Sequence, residues 1–132
     1  GRTMIDDASC RALIAAARQT QQNAYAPYSH FTVGAAVLAA DDTVYTGCNV
    51  ENSSYGLSCC AERNAIFHGA ACGCRQFQAI AIVGDAAGFT MPCGACRQVM
   101  AEFQIPYVIV TKPDDTYRIM TLEELLPHSF SL

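Results

Sequence analysis

Three cysteines and one glutamate in this sequence have the types and the spacing of a catalytic metal site. Cys60 stands two residues before Glu62, and further along the chain Cys93 and Cys96 form a C-x-x-C pair. Three thiolates can hold a tetrahedral zinc ion and leave its fourth position free for water. Glu62 is close enough to Cys60 to act on that water without being a ligand. The pattern therefore predicts a catalytic zinc ion.

The alternative for this cluster is a closed structural zinc site. Such a site usually has four sulfur ligands, and the two C-x-x-C knuckles of a zinc ribbon are absent from the sequence. Cys59 cannot comfortably face the same ion as its neighbour Cys60, and the spacing to Glu62 selects Cys60. We interpret four other cysteines as packing or incidental thiols: Cys10, Cys48, Cys72 and Cys74.

The composition favours a small uncharged substrate and self-association. Hydrophobic residues make up 52% of the 132 residues and charged residues only 15%, which leaves little polar surface for a small protein. We therefore expect the chain to associate with copies of itself. The formal charge of −4 provides no basic field to attract phosphates, so we expect no nucleic-acid partner.

The distribution of apolar residues and cysteines indicates the compartment. No charged-then-apolar signal segment opens the sequence, and no apolar run has the length needed to span a bilayer. Cysteines spaced in this way indicate metal binding or catalysis in a reducing compartment rather than a disulfide framework. We therefore expect a cytoplasmic protein with no membrane contact.

The first half of the sequence predicts a helix, a β-hairpin and a second helix. Thr3 and Asp6 form a capping-box pattern, and apolar residues then recur at helical spacing to about residue 22. Strands are predicted over 31–38 and 43–48, with Asp41 and Asp42 in the turn of a hairpin. Cys60 is predicted to begin a helix that reaches about residue 71.

The second half alternates strands with helices. Continuous apolar runs at 79–83 and 107–110 are typical of strands covered on both faces, and a helix is predicted between them at 94–103. A weaker strand at 116–120 precedes a short helix that begins with the capping box of Thr121 and Glu124 and ends at Pro127. This order predicts one α/β domain over residues 1–132, a three-layer α/β/α sandwich with a mixed five-stranded sheet.

The motifs around the cluster resemble those of a known enzyme family. CNVEN at 48–52, CAER at 60–63 and PCGACRQ at 92–98 resemble the small zinc-dependent cytidine deaminases of nucleoside salvage, and the resemblance runs from about residue 25 to 130. The order of first ligand, glutamate and Pro-Cys-x-x-Cys is the signature of zinc-dependent nucleobase deaminases. The resemblance implies the same fold, one Zn²⁺ per chain and, with cysteine as first ligand, the small homotetrameric form.

The resemblance also implies the reaction. Cytidine and 2′-deoxycytidine would be hydrolysed to uridine and 2′-deoxyuridine, with release of ammonia, in pyrimidine salvage. Zinc-bound hydroxide would add to C4 of the base. Glu62 would pass the water proton to N3 and later protonate the departing ammonia. In the family an arginine at the position of Arg63 donates a hydrogen bond to a ligand sulfur, which opposes the excess negative charge of three thiolates.

Five residues are expected to contact the nucleoside within one chain. Asn49 and Glu51 lie two apart at a strand end, so their side chains can point to the same side. The resemblance assigns both to the ribose 3′-hydroxyl, and it places Phe31 near the base. Ser53 and Ala61 would contribute main-chain contacts, the latter to the base.

Two further residues are expected to act between subunits. Phe130 matches an aromatic residue that in the family enters the pocket of a neighbouring subunit, and Tyr55 would lie at a subunit contact. On composition alone, Phe130 could equally anchor the tail on its own domain. With the family interpretation, a homotetramer is the active form, because no single chain holds a complete site.

Three other functions are compatible with parts of the pattern. Deaminases of a modified cytosine nucleoside, such as blasticidin S, share the zinc motifs, although Asn49, Glu51 and Phe130 favour an ordinary nucleoside. A non-enzymatic zinc or redox module is a second alternative, since adjacent thiols could oxidise. Editing of single-stranded DNA or RNA is a third, and it conflicts with the acidic charge.

Overall fold

The computed structural model describes residues 5–132, and the order of its helices and strands confirms the predicted order. The strands are β1 (Val33–Ala39), β2 (Val44–Cys48), β3 (Phe77–Gly84), β4 (Tyr107–Thr111) and β5 (Tyr117–Thr121). The helices are α1 (Asp7–Gln21), α2 (Ala61–Ala71), α3 (Gly94–Glu102) and α4 (Leu122–Leu125). A short 3₁₀ turn, Tyr55–Leu57, lies in the segment between β2 and α2 that was predicted as a loop.

The five strands form one mixed sheet in the order β2-β1-β3-β4-β5. β1 pairs antiparallel with β2, which confirms the hairpin, and also antiparallel with β3. β3 and β4 are parallel, with α3 in the crossover between them, and β5 is antiparallel to β4. Gly34 lies opposite Cys48, and Val33 lies opposite Gly84. The start of β1 and the ends of β2 and β3 therefore meet at one end of the sheet.

Helices cover both faces of the sheet, which confirms the three-layer α/β/α arrangement. One buried cluster joins α1 to the sheet: Cys10, Leu13, Ile14, Ala17, Ala36, Ala79, Ala81, Val83 and Ile109. The cluster on the opposite face includes residues of α2, α3 and the sheet: Ala35, Val37, Ala61, Ala65, Ile66, Ile80, Ile82, Cys96, Met100, Val108 and Val110. Neighbouring residues of a strand point to opposite faces, so β3 is apolar over residues 79–83 because both of its faces are covered.

Two glycines of the hairpin allow the helices to lie close to the sheet. A Cβ atom at Gly47 would stand 2.4 Å from the backbone nitrogen of Ala65 in α2. A Cβ atom at Gly34 would stand 2.1 Å from the carbonyl oxygen of Ala17 in α1. Side chains at these positions would push the helices away, so Gly47 sets the position of α2, whose first turn carries Glu62.

The boundaries of α1 and β1 differ from the prediction. Asp6 is itself the N-cap of α1, and its carboxylate accepts the Ser9 N–H at 2.8 Å. Asp6 is therefore not the partner residue of a capping box, and Thr3, its predicted partner, lies outside the described residues. β1 begins at Val33 rather than at position 31, which leaves Phe31 in the preceding loop.

The helices are short. The longest, α1, has 15 residues, and α4 has four. The predicted capping box of α4 is confirmed, because the side chains of Thr121 and Glu124 each accept the other residue's backbone N–H. Across residues 5–132, the structure contains no helix with the length and apolar character needed to cross a membrane.

Candidate metal centre and substrate pocket

The three predicted zinc ligands meet at the amino ends of α2 and α3. Cys60 is the N-cap of α2, Cys93 is the N-cap of α3, and Cys96 lies in the first turn of α3. The sulfur of Cys93 is 3.8 Å from that of Cys60 and 3.5 Å from that of Cys96, and all three lie within 4.8 Å of one another. Sulfurs bound to one tetrahedral zinc at about 2.3 Å stand about 3.8 Å apart. The donor atoms therefore fit zinc in chemistry and in spacing.

Charge around the cluster favours a thiolate at Cys60. Its pKa is lowered to about 5, chiefly by a hydrogen bond from Cys96 and further by Arg63. Nη2 of Arg63 donates to the Cys60 sulfur at 3.5 Å. The pKa of Cys96 is raised, because Cys96 shares its proton with Cys60 and is buried. The amino ends of two helices add positive partial charge beside the sulfurs.

Glu62 lies beside the sulfur cluster without belonging to it. It occupies the first turn of α2, and only 4% of it is exposed. Burial raises the pKa of its carboxyl group to about 7, and the negative charge of Cys60 contributes to that increase. A buried carboxyl group of this kind can accept and return a proton near neutral pH.

Side chains of α2 and α3 fix the two helix starts. Nδ2 of Asn64 donates to the Cys48 carbonyl oxygen at 2.8 Å, which ties α2 to the end of β2. Nε of Arg97 donates to the Pro92 carbonyl oxygen at 2.9 Å, and its Nη1 donates to that of Leu125 at 2.7 Å. Arg97 belongs to the PCGACRQ motif at 92–98, although the spacing of that motif indicates no role for it. In the structure it holds the backbone immediately before Cys93.

A pocket of about 500 Å³ opens above Glu62 and the sulfur cluster. Its lining combines loop residues from the ends of β1, β2 and β3 with the amino ends of α2 and α3. Seven of the predicted site residues line it: Phe31, Asn49, Glu51, Cys60, Ala61, Glu62 and Cys93. Cys96 and Arg63 lie behind this surface. The sulfur of Cys96 contacts that of Cys93, and the guanidinium group of Arg63 contacts the sulfur of Cys60.

The side chain of Asn49 is part of the pocket and also part of the fold. Its Oδ1 accepts the Val33 N–H at 2.9 Å, and its Nδ2 donates to the Phe31 carbonyl oxygen at 2.8 Å. The Asn49 side chain thus forms hydrogen bonds with the Val33 N–H and the Phe31 carbonyl oxygen, which a neighbouring strand would otherwise bind. The regular strand therefore begins only at Val33. An amide of this kind retains one N–H and one lone pair for a further hydrogen bond.

Glu51 is surrounded by hydrogen-bond donors from one tight loop. Its Oε1 accepts the N–H groups of Tyr28 at 3.0 Å and Ser29 at 3.1 Å, and its Oε2 accepts the Ser29 hydroxyl. The pKa of Glu51 is lowered, chiefly by the hydrogen bond that the Ser29 hydroxyl group donates to it. Ser29 Oγ also accepts the Phe31 N–H at 3.0 Å, so one side chain connects two predicted substrate residues.

Besides Cys96 and Arg63, three predicted residues do not line the pocket of their own chain. Ser53 is exposed in the loop before the 3₁₀ turn, and the structure does not bring it to the pocket surface. Tyr55 and Phe130 are 75% and 69% exposed. The carbonyl oxygen of Phe130 accepts Nε2 of Gln98 at 3.2 Å, which ties the tail to α3.

Sequence reasoning missed one wall of the pocket. The loop between β3 and α3 supplies this wall: Ala86, Phe89, Thr90 and Met91. Two other lining residues that the patterns do not indicate lie on the side of Phe31: Ser29 precedes β1, and Val33 is its first residue. The signal for the missed wall was present, because the loop between β3 and α3 ends at the ligand Cys93 and must therefore approach the metal. Phe89 is held from outside by Lys112 and Arg118, whose cationic groups lie 5.0 and 4.7 Å from its ring centroid.

Comparisons with known proteins agree with the site. A model of the family described as the cytidine and deoxycytidylate deaminase zinc-binding region matches residues 8–112. A cytidine deaminase of Sporosarcina psychrophila is 48% identical over 122 residues, which cover 90% of this chain and 89% of that protein.

Solved structures show the same relationship. The crystal structure of cytidine deaminase from Burkholderia pseudomallei is 50% identical, with a TM-score of 0.87, and the match covers 91% of this chain and 98% of that one. The corresponding structure from Mycobacterium tuberculosis is 40% identical, with a TM-score of 0.82, and covers 97% of this chain and all of that one. This chain therefore belongs to the zinc-binding cytidine and deoxycytidylate deaminase family.

Proposed function

We propose that this chain is one catalytic domain that hydrolyses cytidine and 2′-deoxycytidine to uridine and 2′-deoxyuridine with release of ammonia. The observation that carries the proposal is the buried carboxyl group of Glu62 beside three zinc-compatible sulfurs at the base of a pocket of about 500 Å³. Relatives of similar length and high identity are cytidine deaminases. Water is the second substrate, so the reaction requires proton transfer but no redox partner.

Cys60, Cys93 and Cys96 would hold one zinc ion, which supplies a Lewis acid that lowers the pKa of water. Glu62 then provides the proton transfers. It accepts a proton from the attacking water and passes it to N3 of the cytosine ring. It then takes the proton of the hydroxyl group added at C4 and delivers it to the amino group, which leaves as ammonia when the C4–N bond breaks. Its burial suits this role, because bulk water cannot compete for the proton. Arg63 would offset the negative charge of the thiolates through its contact with Cys60.

The rest of the pocket would bind a nucleoside. Phe31 would contact the base, and the backbone of Ala61 would add a hydrogen bond. The free hydrogen-bonding capacity of Asn49 and the carboxylate of Glu51 would bind the ribose 3′-hydroxyl, with Glu51 as an acceptor held ionised by its donors. The described pocket lining contains two carboxylates and no lysine or arginine, which favours an uncharged nucleoside over a nucleotide.

We also propose that the active form is a homotetramer in which Phe130 enters a neighbouring pocket and Tyr55 lies at a subunit contact. Both aromatic side chains are largely exposed in the single chain, and Phe130 does not line its own pocket. Tyr55 also packs edge-on against the exposed ring of Tyr28, with centroids 5.9 Å apart, and a contiguous exposed apolar patch is typical of an interaction surface. Ser53 would reach substrate only if that assembly or the ligand moves its loop.

The decisive experiment follows ammonia release from cytidine by zinc-loaded protein and by the Glu62→Gln variant. We expect turnover by the parent and a loss of about 10³-fold in kcat for the variant, because general acid–base catalysis contributes on this scale. Zinc content should stay at one per chain. Glu102→Gln, an exposed glutamate on α3, is the matched control and should be as active as the parent.

Two results would contradict the proposal. Turnover of cytidine monophosphate at the rate of cytidine would rule out selection of an uncharged nucleoside. Full activity of Glu62→Gln would show that another group transfers the protons. The homotetramer is tested separately by measuring the molar mass of the zinc-loaded protein in solution.

A further inference from the structure

The pocket has two walls that come from different parts of the chain. Phe31 and Val33 form one wall, at the start of β1. Residues 86–91 form the other, in the loop between β3 and α3. The two walls diverge where the antiparallel pairing of β1 with β3 ends, at Val33 opposite Gly84. The width of the pocket therefore depends on what joins the strands just beyond that pair.

Asp85 joins the walls at this point. By the register of β1 and β3, Thr32 and Asp85 would form the next opposed pair after Val33 and Gly84. Instead of a backbone carbonyl, the Asp85 side chain accepts the Thr32 N–H, with Oδ2 at 2.8 Å. The same oxygen accepts the Thr32 hydroxyl at 2.7 Å. The carboxylate thus joins the two chain segments one residue beyond the last paired residues of β1 and β3, and the backbones separate from there around the pocket.

The last turns of α1 support this link from behind. Nε2 of Gln21 lies 3.2 Å from Asp85 Oδ1 and 3.1 Å from both the carbonyl and the hydroxyl oxygen of Thr32. Arg18 donates to Oε1 of Gln21 at 3.0 Å and to the carbonyl oxygen of Gly84 at 3.3 Å. Both sides of the link are therefore connected to one helix.

We propose that Asp85 is a positioning residue that sets the distance between Phe31 and the 86–91 wall, and so determines how tightly the pyrimidine base is held. The inference rests on the proposed function, since it concerns the same pocket. Asp85 precedes the wall residue Ala86, and Thr32 lies between the wall residues Phe31 and Val33. Loss of the carboxylate removes the direct hydrogen bonds between the two walls and leaves only their indirect connection through Gln21 and Arg18 of α1.

The chemistry should be less affected than binding. The far end of the 86–91 wall has its own attachments: Thr90 N–H donates to the Thr111 carbonyl oxygen at 2.9 Å, and Phe89 contacts Lys112 and Arg118. The sulfur cluster and Glu62 are held by α2 and α3. A variant at Asp85 should therefore widen the base site without moving the groups that transfer protons.

The test compares Asp85→Ala with the parent in cytidine deamination. We expect KM to rise about tenfold and kcat to stay within about twofold, as loss of one or two hydrogen bonds to a charged group predicts. Asp85→Asn keeps an acceptor oxygen for Thr32 and should recover most of the loss. Cytidine binding to the inactive Glu62→Gln protein, with and without Asp85→Ala, gives the affinity change independently of turnover.

Asp41→Ala is the matched control. Asp41 accepts the Thr43 N–H at 3.0 Å in the hairpin turn at the opposite end of the sheet, so the change removes a similar loop hydrogen bond away from the pocket. Its KM should equal that of the parent. An unchanged KM and affinity for Asp85→Ala, with an active parent, would overturn this inference alone. A parent that does not deaminate cytidine would instead overturn the proposed function.

Discussion

The metal centre and the rim of the pocket are built in different ways. Glu62 and Cys96 are buried, and the helices that carry them are held by hydrogen bonds within the same chain. At the rim, Tyr55 and Phe130 are mostly exposed, and Glu51 depends on a loop for its donors. The chain by itself therefore brings the sulfurs and Glu62 together, whereas the proposed recognition of the nucleoside involves loops and a second subunit.

The largest effect should follow loss of a buried ligand. We expect Cys96→Ala to lose zinc and to reduce turnover by more than about a thousandfold, because metal assistance supplies several kcal/mol of transition-state stabilisation. Zinc content by elemental analysis and the rate of ammonia release measure the two effects. Cys72→Ala removes an exposed thiol outside the cluster and should change neither. An active Cys96→Ala protein would show that the buried sulfur of Cys96 is not required at the metal centre.

An intermediate effect is expected from the carboxyl-terminal tail. Phe130→Ala should raise KM for cytidine about tenfold with normal zinc content, because it would remove the proposed aromatic contact to the substrate of a neighbouring subunit. Leu132→Ala, which alters an exposed residue of the same tail, should leave KM unchanged. If Phe130→Ala has the parent's KM, each chain completes its own pocket and the proposed contribution of a partner is wrong.

The smallest effect should be a pH-dependent change at the rim. The Ser29 hydroxyl lowers the pKa of Glu51 from its ordinary value of 4.5, so Ser29→Ala should return that pKa upward. A larger fraction of Glu51 than in the parent would then be protonated in mildly acidic buffer, whereas the group stays ionised near neutral pH. We expect KM to rise about threefold at pH 7 through the lost hydrogen bond, and by more at pH 5. Ser29→Thr retains the hydroxyl and should behave like the parent, and an equal rise at both pH values would contradict the role of Ser29.

Much of the fold was predictable because its signals are local. The apolar runs of β3 and β4, the turn of the hairpin and the capping box at Thr121 each depend on a few neighbouring residues. The apolar pattern predicts too early a start for β1, because Phe31 continues that pattern although the strand begins at Val33. Its backbone carbonyl is instead taken by the side chain of Asn49, which comes from another strand end.

By itself, the sequence determined the chemistry of the metal centre. Cys93 and Cys96 lie within one helical turn, and Cys60 and Glu62 lie within another, so helical spacing alone brings the two members of each pair close together.

Only the tertiary structure decided the walls of the pocket. Asp85 contacts Thr32, and Ser29 contacts Glu51, across long stretches of sequence. Each contact exists because β1 pairs with β2 on one side and β3 on the other in a particular register. A shift of one residue in the register of β1 with β2 or with β3 would separate these side chains. The sequence motifs would be the same in both registers.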